Sequence, residues 1–225
     1  MEVSESIKTT TQLHEITDVR HLTDSTFIIR MERNGLQFKT GQHINAGPVN
    51  SIYTREYSIY SGENDDYIEI LVKEVLDGFI SPVLKKKKPG DMLQIEEPGG
   101  YFSLPRKLTP QDPLLFIATG TGISPFHSFI RTYPDLNYNL LHGIRNNEEK
   151  YEFNFYEPER YQPCTSRQKS PSSWFGRVTH YLDEHPPSPG TRCYLCGNND
   201  MIREAYEILI RKGIPMDMIH VEVYF

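Results

Sequence analysis

The sequence is short of cysteine, of basic charge and of long apolar runs, and each shortage removes a class of function. Only three cysteines occur in 225 residues, Cys164, Cys193 and Cys196. They cannot form a disulfide framework or supply four ligands to an iron–sulfur cluster, so reduced thiols are expected. Cys193 and Cys196 have C-x-x-C spacing, but the stretch reads as a strand, where residues three apart face opposite sides. No second such pair completes a zinc site, and no metal is expected. Acidic residues outnumber basic ones, 30 to 24, for a net charge of −6. A general nucleic-acid binder would need a basic face instead. No apolar run of about 18 residues and no basic-then-apolar leader is visible, so a soluble, cytoplasmic protein without a membrane span is expected. What is present is 37% hydrophobic and 12% aromatic residues, enough for a sizeable core in one large domain or two small ones.

The chain changes grammar near its middle. Residues 27–31, 42–46, 53–60, 67–75 and 92–96 read as short strands separated by turns at 33–35, 47–48 and 62–66, the pattern of an antiparallel barrel or sandwich. One helix interrupts them, predicted over 81–88 with Ser81 as N-cap and Pro82 at the first helical position. The run Lys85–Lys88 falls at its C-terminus, where cations offset the helix dipole. It reads either as solvated surface or as a docking patch for an acidic partner. Beyond residues 98–113, strands alternate with helices: strand 114–118 and a helix to about 131, strand 139–143 and a helix over 148–156, strand 160–165 and a helix over 176–183, strand 192–196 and a helix over 200–212, then a closing strand at 220–224. This is an α/β unit with a parallel sheet covered on both faces. The expected division is 1–105 and 106–225.

Four stretches carry chemistry. Leu114–Ala118 runs into Thr119-Gly120-Thr121-Gly122 and then a helix opened by Ser124-Pro125. A buried strand, a glycine turn and a helix N-terminus together cradle phosphate, although the third glycine of the usual dinucleotide fingerprint is missing. Arg55-Glu-Tyr57-Ser58 offers a guanidinium fork and an aromatic face on one side of a strand, with Ser58 on the other. Cys196-Gly197 followed by Asp200 is a second strand-turn-helix, and by the crevice rule it can face the same ligand as the first. The ending Glu222-Val-Tyr224-Phe225 places two aromatics where chain ends normally fray, so they are expected to dock on a flat apolar surface. Taken singly, each has a plain structural alternative: a tight turn, an edge strand, a capping Asp200, ordinary core packing.

Taken in order, Arg55-x-Tyr-Ser58, Gly120-Thr-Gly-Ile-Ser-Pro125, Cys196-Gly197 and Glu222-Val-Tyr-Phe225 resemble the ferredoxin–NADP(+) reductase family, over about residues 12–225. The resemblance implies a six-stranded antiparallel FAD-binding barrel followed by an α/β parallel-sheet NADPH-binding domain. It implies that Arg55 contacts the FAD pyrophosphate, that Tyr57 packs on the isoalloxazine and that Ser58 lies near flavin N5. Gly78, Phe79, Ile80 and Ser81 match the family segment whose N–H groups hold the pyrophosphate. Leu71, Val72 and Lys73 would line the ribityl and adenine side, with Thr119 touching the flavin. Tyr224 would cover the flavin face that nicotinamide must reach, and Phe225 would lie against the adenine, as in compact bacterial members. Ser58, Cys196, Glu222 and Tyr224 would surround the position of hydride transfer. Gly120, Thr121, Gly122, Cys196, Gly197 and Asp200 would meet the nicotinamide nucleotide, and Arg145, Ser166, Arg167 and Arg177 are candidates for a 2′-phosphate, with NADH as the alternative donor. The implied activity passes a hydride from NADPH to flavin and single electrons on to a separate ferredoxin or flavodoxin, by a monomer or weak dimer. The alternatives are a reductase component serving an oxygenase or free flavin, a flavin-binding regulatory module without turnover, and a dehydrogenase without flavin.

Overall fold

The structure is a computed structural model and describes residues 11–224, so the expectation for Phe225 lies outside the described residues. Six strands form the first half: β1 (Gln12–His21), β2 (Thr26–Glu32), β3 (His43–Pro48), β4 (Arg55–Ser58), β5 (Tyr67–Lys73) and β6 (Met92–Ile95). They pair in the order β4-β3-β6-β1-β2-β5, each pair antiparallel. An antiparallel bridge between Ile59 and Ile70, with Tyr60 N–H donating to the Glu69 carbonyl at 2.7 Å, joins the two edges and nearly closes a barrel. β1 lies at the centre of that order and was not among the strands expected from the sequence. A register shift between Ile16 and Asp18 breaks its alternation, so that its apolar residues do not keep the period of two by which a strand is recognised.

α1 spans Ser81–Lys85, shorter than the 81–88 expected, and its N-cap is Ile80 rather than Ser81. The Ser81 hydroxyl is engaged elsewhere: it accepts the Val75 N–H at 2.9 Å and pins the preceding loop.

The second half holds β7 (Leu114–Thr119), α2 (Ser124–Thr132), β8 (Tyr138–Ile144), β9 (Tyr161–Thr165), β10 (Trp174–Phe175), α3 (Val178–Glu184), β11 (Arg192–Asn198), α4 (Asn199–Arg211) and β12 (Ile219–Tyr224). The sheet is parallel, in the order β10-β9-β8-β7-β11-β12. Cys193 and Cys196 enter separate core clusters, as strand alternation requires. The helix expected over 148–156 is absent. Two 3₁₀ turns, Asn147–Glu149 and Phe153–Phe155, flank Glu152 at φ 45°. The cause is contact with the barrel. Glu149 pairs with Lys73 at 3.0 Å, Tyr151 hydroxyl meets Thr26 Oγ1 at 3.2 Å, and Glu152 pairs with Arg20 at 3.1 Å. In a helix Glu149 and Glu152 could share a face, but Tyr151 would point about 100° or more away from both.

The two halves share one apolar cluster. Ile28, Tyr60, Leu71 and Phe102 pack with Phe116, Phe126, Phe129, Tyr138 and Tyr194, while α3 and α4 cover the far face of the parallel sheet. Near this seam the Glu69 carboxylate, 2% exposed, is held by Arg20 at 2.6 Å and Arg30 at 2.9 Å.

Candidate functional site

β7 and β11 are neighbours, and a turn leaves the carboxyl end of each. Glycine lets the two turns touch. A Cβ on Gly122 would lie 2.7 Å from the Cys196 carbonyl carbon and 2.8 Å from Gly197 Cα, and one on Gly197 would lie 3.0 Å from the Thr119 nitrogen and oxygen. Thr119 Oγ1 also accepts the Asn198 N–H at 3.0 Å. A 3₁₀ turn over Gly120–Ile123 then leads into α2, with Pro125 in its first turn. Asn198, not Asp200, caps α4, its Oδ1 accepting from the N–H groups of Asp200 and Met201. An Asn just ahead of an amphipathic run is a helix-start signal that could have found it.

Beside these turns opens a cleft of about 540 Å³. Gly120, Thr121, Arg145, Ser166, Arg177, Gly197 and Asp200 line it together with Thr119 and Tyr224. Gly122 and Cys196 lie buried behind it. Arg167 does not line the cleft: it is exposed, and its N–H holds the Arg145 carbonyl at 3.0 Å. Lys73, expected on the ribityl and adenine side, reaches across to this cleft and pairs with Glu149. Glu149 also accepts the Arg145 N–H at 2.6 Å, which fixes the start of the loop that carries Arg145. Burial pushes the Glu149 carboxyl up, but hydrogen bonds from Arg145 and Lys73 outweigh it and hold the group below the usual carboxylate range. Its position was not legible from the sequence, where it is one acid in a polar stretch.

At the inner end of the cleft, side chains from both halves meet. Tyr224 hydroxyl donates to Ser58 Oγ at 2.7 Å, and Ser58 Oγ donates to Glu222 Oε2 at 3.1 Å. Cys196 Sγ approaches the same Glu222 oxygen at 3.8 Å. The parallel register puts Cys196 beside Glu222 and Asn198 beside Tyr224, while β4 brings Ser58 from the barrel. Burial raises the Glu222 carboxyl to about 7, even though hydrogen bonds from Ser58 and Cys196 oppose it. Burial likewise keeps the Cys196 thiol and the Tyr224 phenol well above their ordinary values, so both stay protonated.

The barrel side of this meeting point fits a ligand with phosphates and a flat ring. The Arg55 guanidinium is exposed and pairs with no carboxylate among the described residues. The Gly78 N–H is not free for phosphate, because it donates to the Val75 carbonyl at 2.8 Å. The N–H groups of Phe79, Ile80 and Ser81 remain, at the entry to α1, where helical N–H groups lack intrahelical partners. Val75, Leu76 and Phe79 stand 61%, 83% and 75% exposed, an apolar shelf that solvent alone does not explain. Tyr53 stacks on Phe79 with ring centres 5.8 Å apart. Tyr57 packs against the barrel core, and burial pushes its phenol up to about 12. The side chains of Leu71 and Val72 are buried in the core, so only their main chain can face a ligand.

A family model for an oxidoreductase FAD-binding domain matches residues 10–104, and one for an oxidoreductase NAD-binding domain matches residues 116–207. The electron transfer component of toluate 1,2-dioxygenase from Pseudomonas putida is 27% identical over 215 residues, covering 88% of this chain and 63% of its own length. The flavodoxin/ferredoxin–NADP reductase of Escherichia coli is 28% identical over 218 residues, covering 84% of this chain and 86% of its own. A ferredoxin NADP+ reductase from Neisseria gonorrhoeae, solved with bound FAD and NADP, superimposes with a TM-score of 0.87 at 26% identity, covering 96% of this chain and 99% of its own. The chain belongs to the ferredoxin–NADP(+) reductase family and is an FAD- and NAD(P)-binding oxidoreductase.

Proposed function

We propose that the protein carries reducing equivalents from NADPH, by way of FAD, to a separate one-electron carrier of the ferredoxin or flavodoxin kind in the cytoplasm. Bound FAD supplies the exchange between two-electron hydride chemistry and single-electron transfer. The residues bind, orient and exclude water. Arg55 and the N–H groups of Phe79, Ile80 and Ser81 hold the flavin pyrophosphate, Gly78 makes the turn that presents them, and Tyr57 packs beside the ring. Gly120, Thr121, Gly197 and Asp200 meet the dinucleotide, and Arg145, Ser166 and Arg177 take its 2′-phosphate. Charge-assisted bonds of about 1.5–3 kcal/mol each give NADPH tenfold or more preference apiece over NADH.

The observation that carries this reading is the corner where Ser58 from the barrel meets Cys196, Glu222 and Tyr224 from the parallel sheet. The Tyr224 hydroxyl makes one hydrogen bond there, worth about 1 kcal/mol, and its half-buried ring packs against the shared core cluster, a cover that nicotinamide must push aside. Burial raises Glu222 to about 7, so it can take up or release a proton near neutral pH, and its Oε2 accepts from Ser58 Oγ. Anaerobic titration with NADPH and with NADH tests the reading: NADPH is expected to bleach the flavin band at the lower concentration. A colourless protein, or a yellow one that neither nucleotide bleaches, refutes it. The Pseudomonas relative favours a second reading, a reductase component for an oxygenase. Steady-state rates with ferredoxin, flavodoxin, an oxygenase-type acceptor and free flavin separate the two.

A further inference from the structure

His142 lies in the middle of β8 with no exposed surface, on the sheet face that carries Tyr138 and Leu140. A leucine would complete that apolar face, whereas a buried imidazole must find partners for both nitrogens. It has them. Nε2 lies 2.9 Å from the Gly120 carbonyl, and Nδ1 lies 2.9 Å from the Tyr161 hydroxyl. A carbonyl can only accept, so Nε2 bears the proton, and Nδ1 accepts from Tyr161 in the neutral ring. Burial favours that neutral form, lowering the group to about 4.

We infer that His142 is a positioning residue for dinucleotide binding, acting through the Gly120 carbonyl to aim the Gly120–Thr121 peptide at the ligand's pyrophosphate. In a trans peptide the carbonyl and the following N–H point in opposite directions. With the Gly120 carbonyl drawn inward to His142, the Thr121 N–H points outward, to the cleft that Gly120 and Thr121 line. The reversed peptide would offer an oxygen where the phosphate needs a donor. Reversal is cheap next to glycine, and Gly120 sits at φ 52° with no atom within 4 Å of where a Cβ would be. No side chain packs on that side of the peptide to resist the reversal. Its own 3₁₀ turn has poor hydrogen-bond geometry, and the imidazole supplies the side-chain anchor. Tyr161 completes the device by fixing which nitrogen carries the proton.

The inference rests on the cleft taking a dinucleotide, and the test keeps the two apart. NADP+ and adenosine 2′-monophosphate, which lacks the pyrophosphate, are titrated calorimetrically into the FAD-loaded wild type, His142→Leu and His142→Gln. His142→Leu is expected to bind NADP+ about tenfold more weakly and to raise KM for NADPH more than it lowers kcat. Its affinity for adenosine 2′-monophosphate should stay unchanged. Glutamine, whose amide can still donate to Gly120, should restore most of the loss. Unchanged NADP+ affinity in the leucine variant, equal loss of both ligands, or a folded glutamine variant no better than leucine overturns the inference. A wild type that binds neither ligand overturns the dinucleotide reading instead. Should the leucine variant not fold, the imidazole nitrogen spectrum of the wild type decides. An Nε2–H tautomer whose signal moves with NADP+ but not with adenosine 2′-monophosphate supports the role, and an Nδ1–H tautomer or no response to NADP+ refutes it.

Discussion

Gly122→Ala isolates the contact on which the cleft depends. The added methyl would sit 2.7 Å from the Cys196 carbonyl carbon and 2.8 Å from Gly197 Cα, against 3.4 Å for the closest ordinary contact. Both neighbours are main chain in β11 and its turn, so no side chain can swing away. The Cys196 carbonyl oxygen lies nearer still, so the two turns must separate by more than about 0.7 Å. Overpacking of this kind costs about 1–3 kcal/mol, and a backbone obstacle puts it at the upper part of that range. The displaced atoms belong to the turns that flank the nucleotide cleft and to the strand that carries Cys196. A shift of about 1 Å in a reacting geometry costs about 100-fold, so a loss of roughly tenfold in kcat/KM for NADPH is expected here. The control lies in the barrel, away from the cleft. Gly35→Ala meets nothing within 4 Å and suffers only its positive φ of 76°, worth about 1–2 kcal/mol. Stopped-flow reduction of the flavin and a thermal melt of both variants make the comparison. If Gly122→Ala keeps wild-type KM and melting temperature, or if the two variants lose equal amounts of rate, the steric argument is wrong.

Three further outcomes are expected. Glu222 keeps its proton in the folded protein up to about pH 7, whereas the unfolded chain has released it, so stability falls as pH rises from the ordinary carboxylate range to that point. The slope is at most about 1.4 kcal/mol per pH unit. Glu222→Gln should flatten it in melts between about pH 5 and pH 8, and an unaltered slope would show that another group is responsible. Glu69→Ala leaves Arg20 and Arg30 without their shared carboxylate and should cost about 3 kcal/mol by denaturant unfolding, the low end for a buried pair because both arginines are one-third exposed; a loss below about 1 kcal/mol would contradict it. Lys85 is tied to Glu74, and Lys87 reaches the Met92 carbonyl, but Lys86 and Lys88 are exposed. Reversing the charge of those two should slow reduction of an acidic protein carrier severalfold and spare a small artificial acceptor, while equal loss with both would rule out docking at this patch.

The strand-turn-helix units were legible because they depend on local chemistry. A five-residue apolar run, a glycine turn and a proline in the first helical turn determine β7 and α2 whatever surrounds them. β1 was hidden because its bulge disrupts the alternation, and only pairing with β2 and β6 makes it a strand. The segment 147–156 has helical composition, yet its contacts with Lys73, Thr26 and Arg20 decide its shape, and those residues are remote in sequence. The same division holds at the site. Motif order indicated that Ser58, Cys196, Glu222 and Tyr224 belong together. It could not show that Lys73 turns to the other cleft, that Arg167 stays outside it, or that the Gly78 N–H is already engaged, because each depends on a partner that no local pattern names.

The cluster that joins Tyr60 and Leu71 to Phe116, Phe126 and Tyr194 has a consequence for anyone cutting or grafting this chain. Neither half owns the wall it leans on. Expressed alone, the nucleotide-binding half would present several large rings to water and clump. Heat should melt the intact molecule in a single step, and a hybrid that borrows its barrel from a relative must borrow the matching aromatic wall as well.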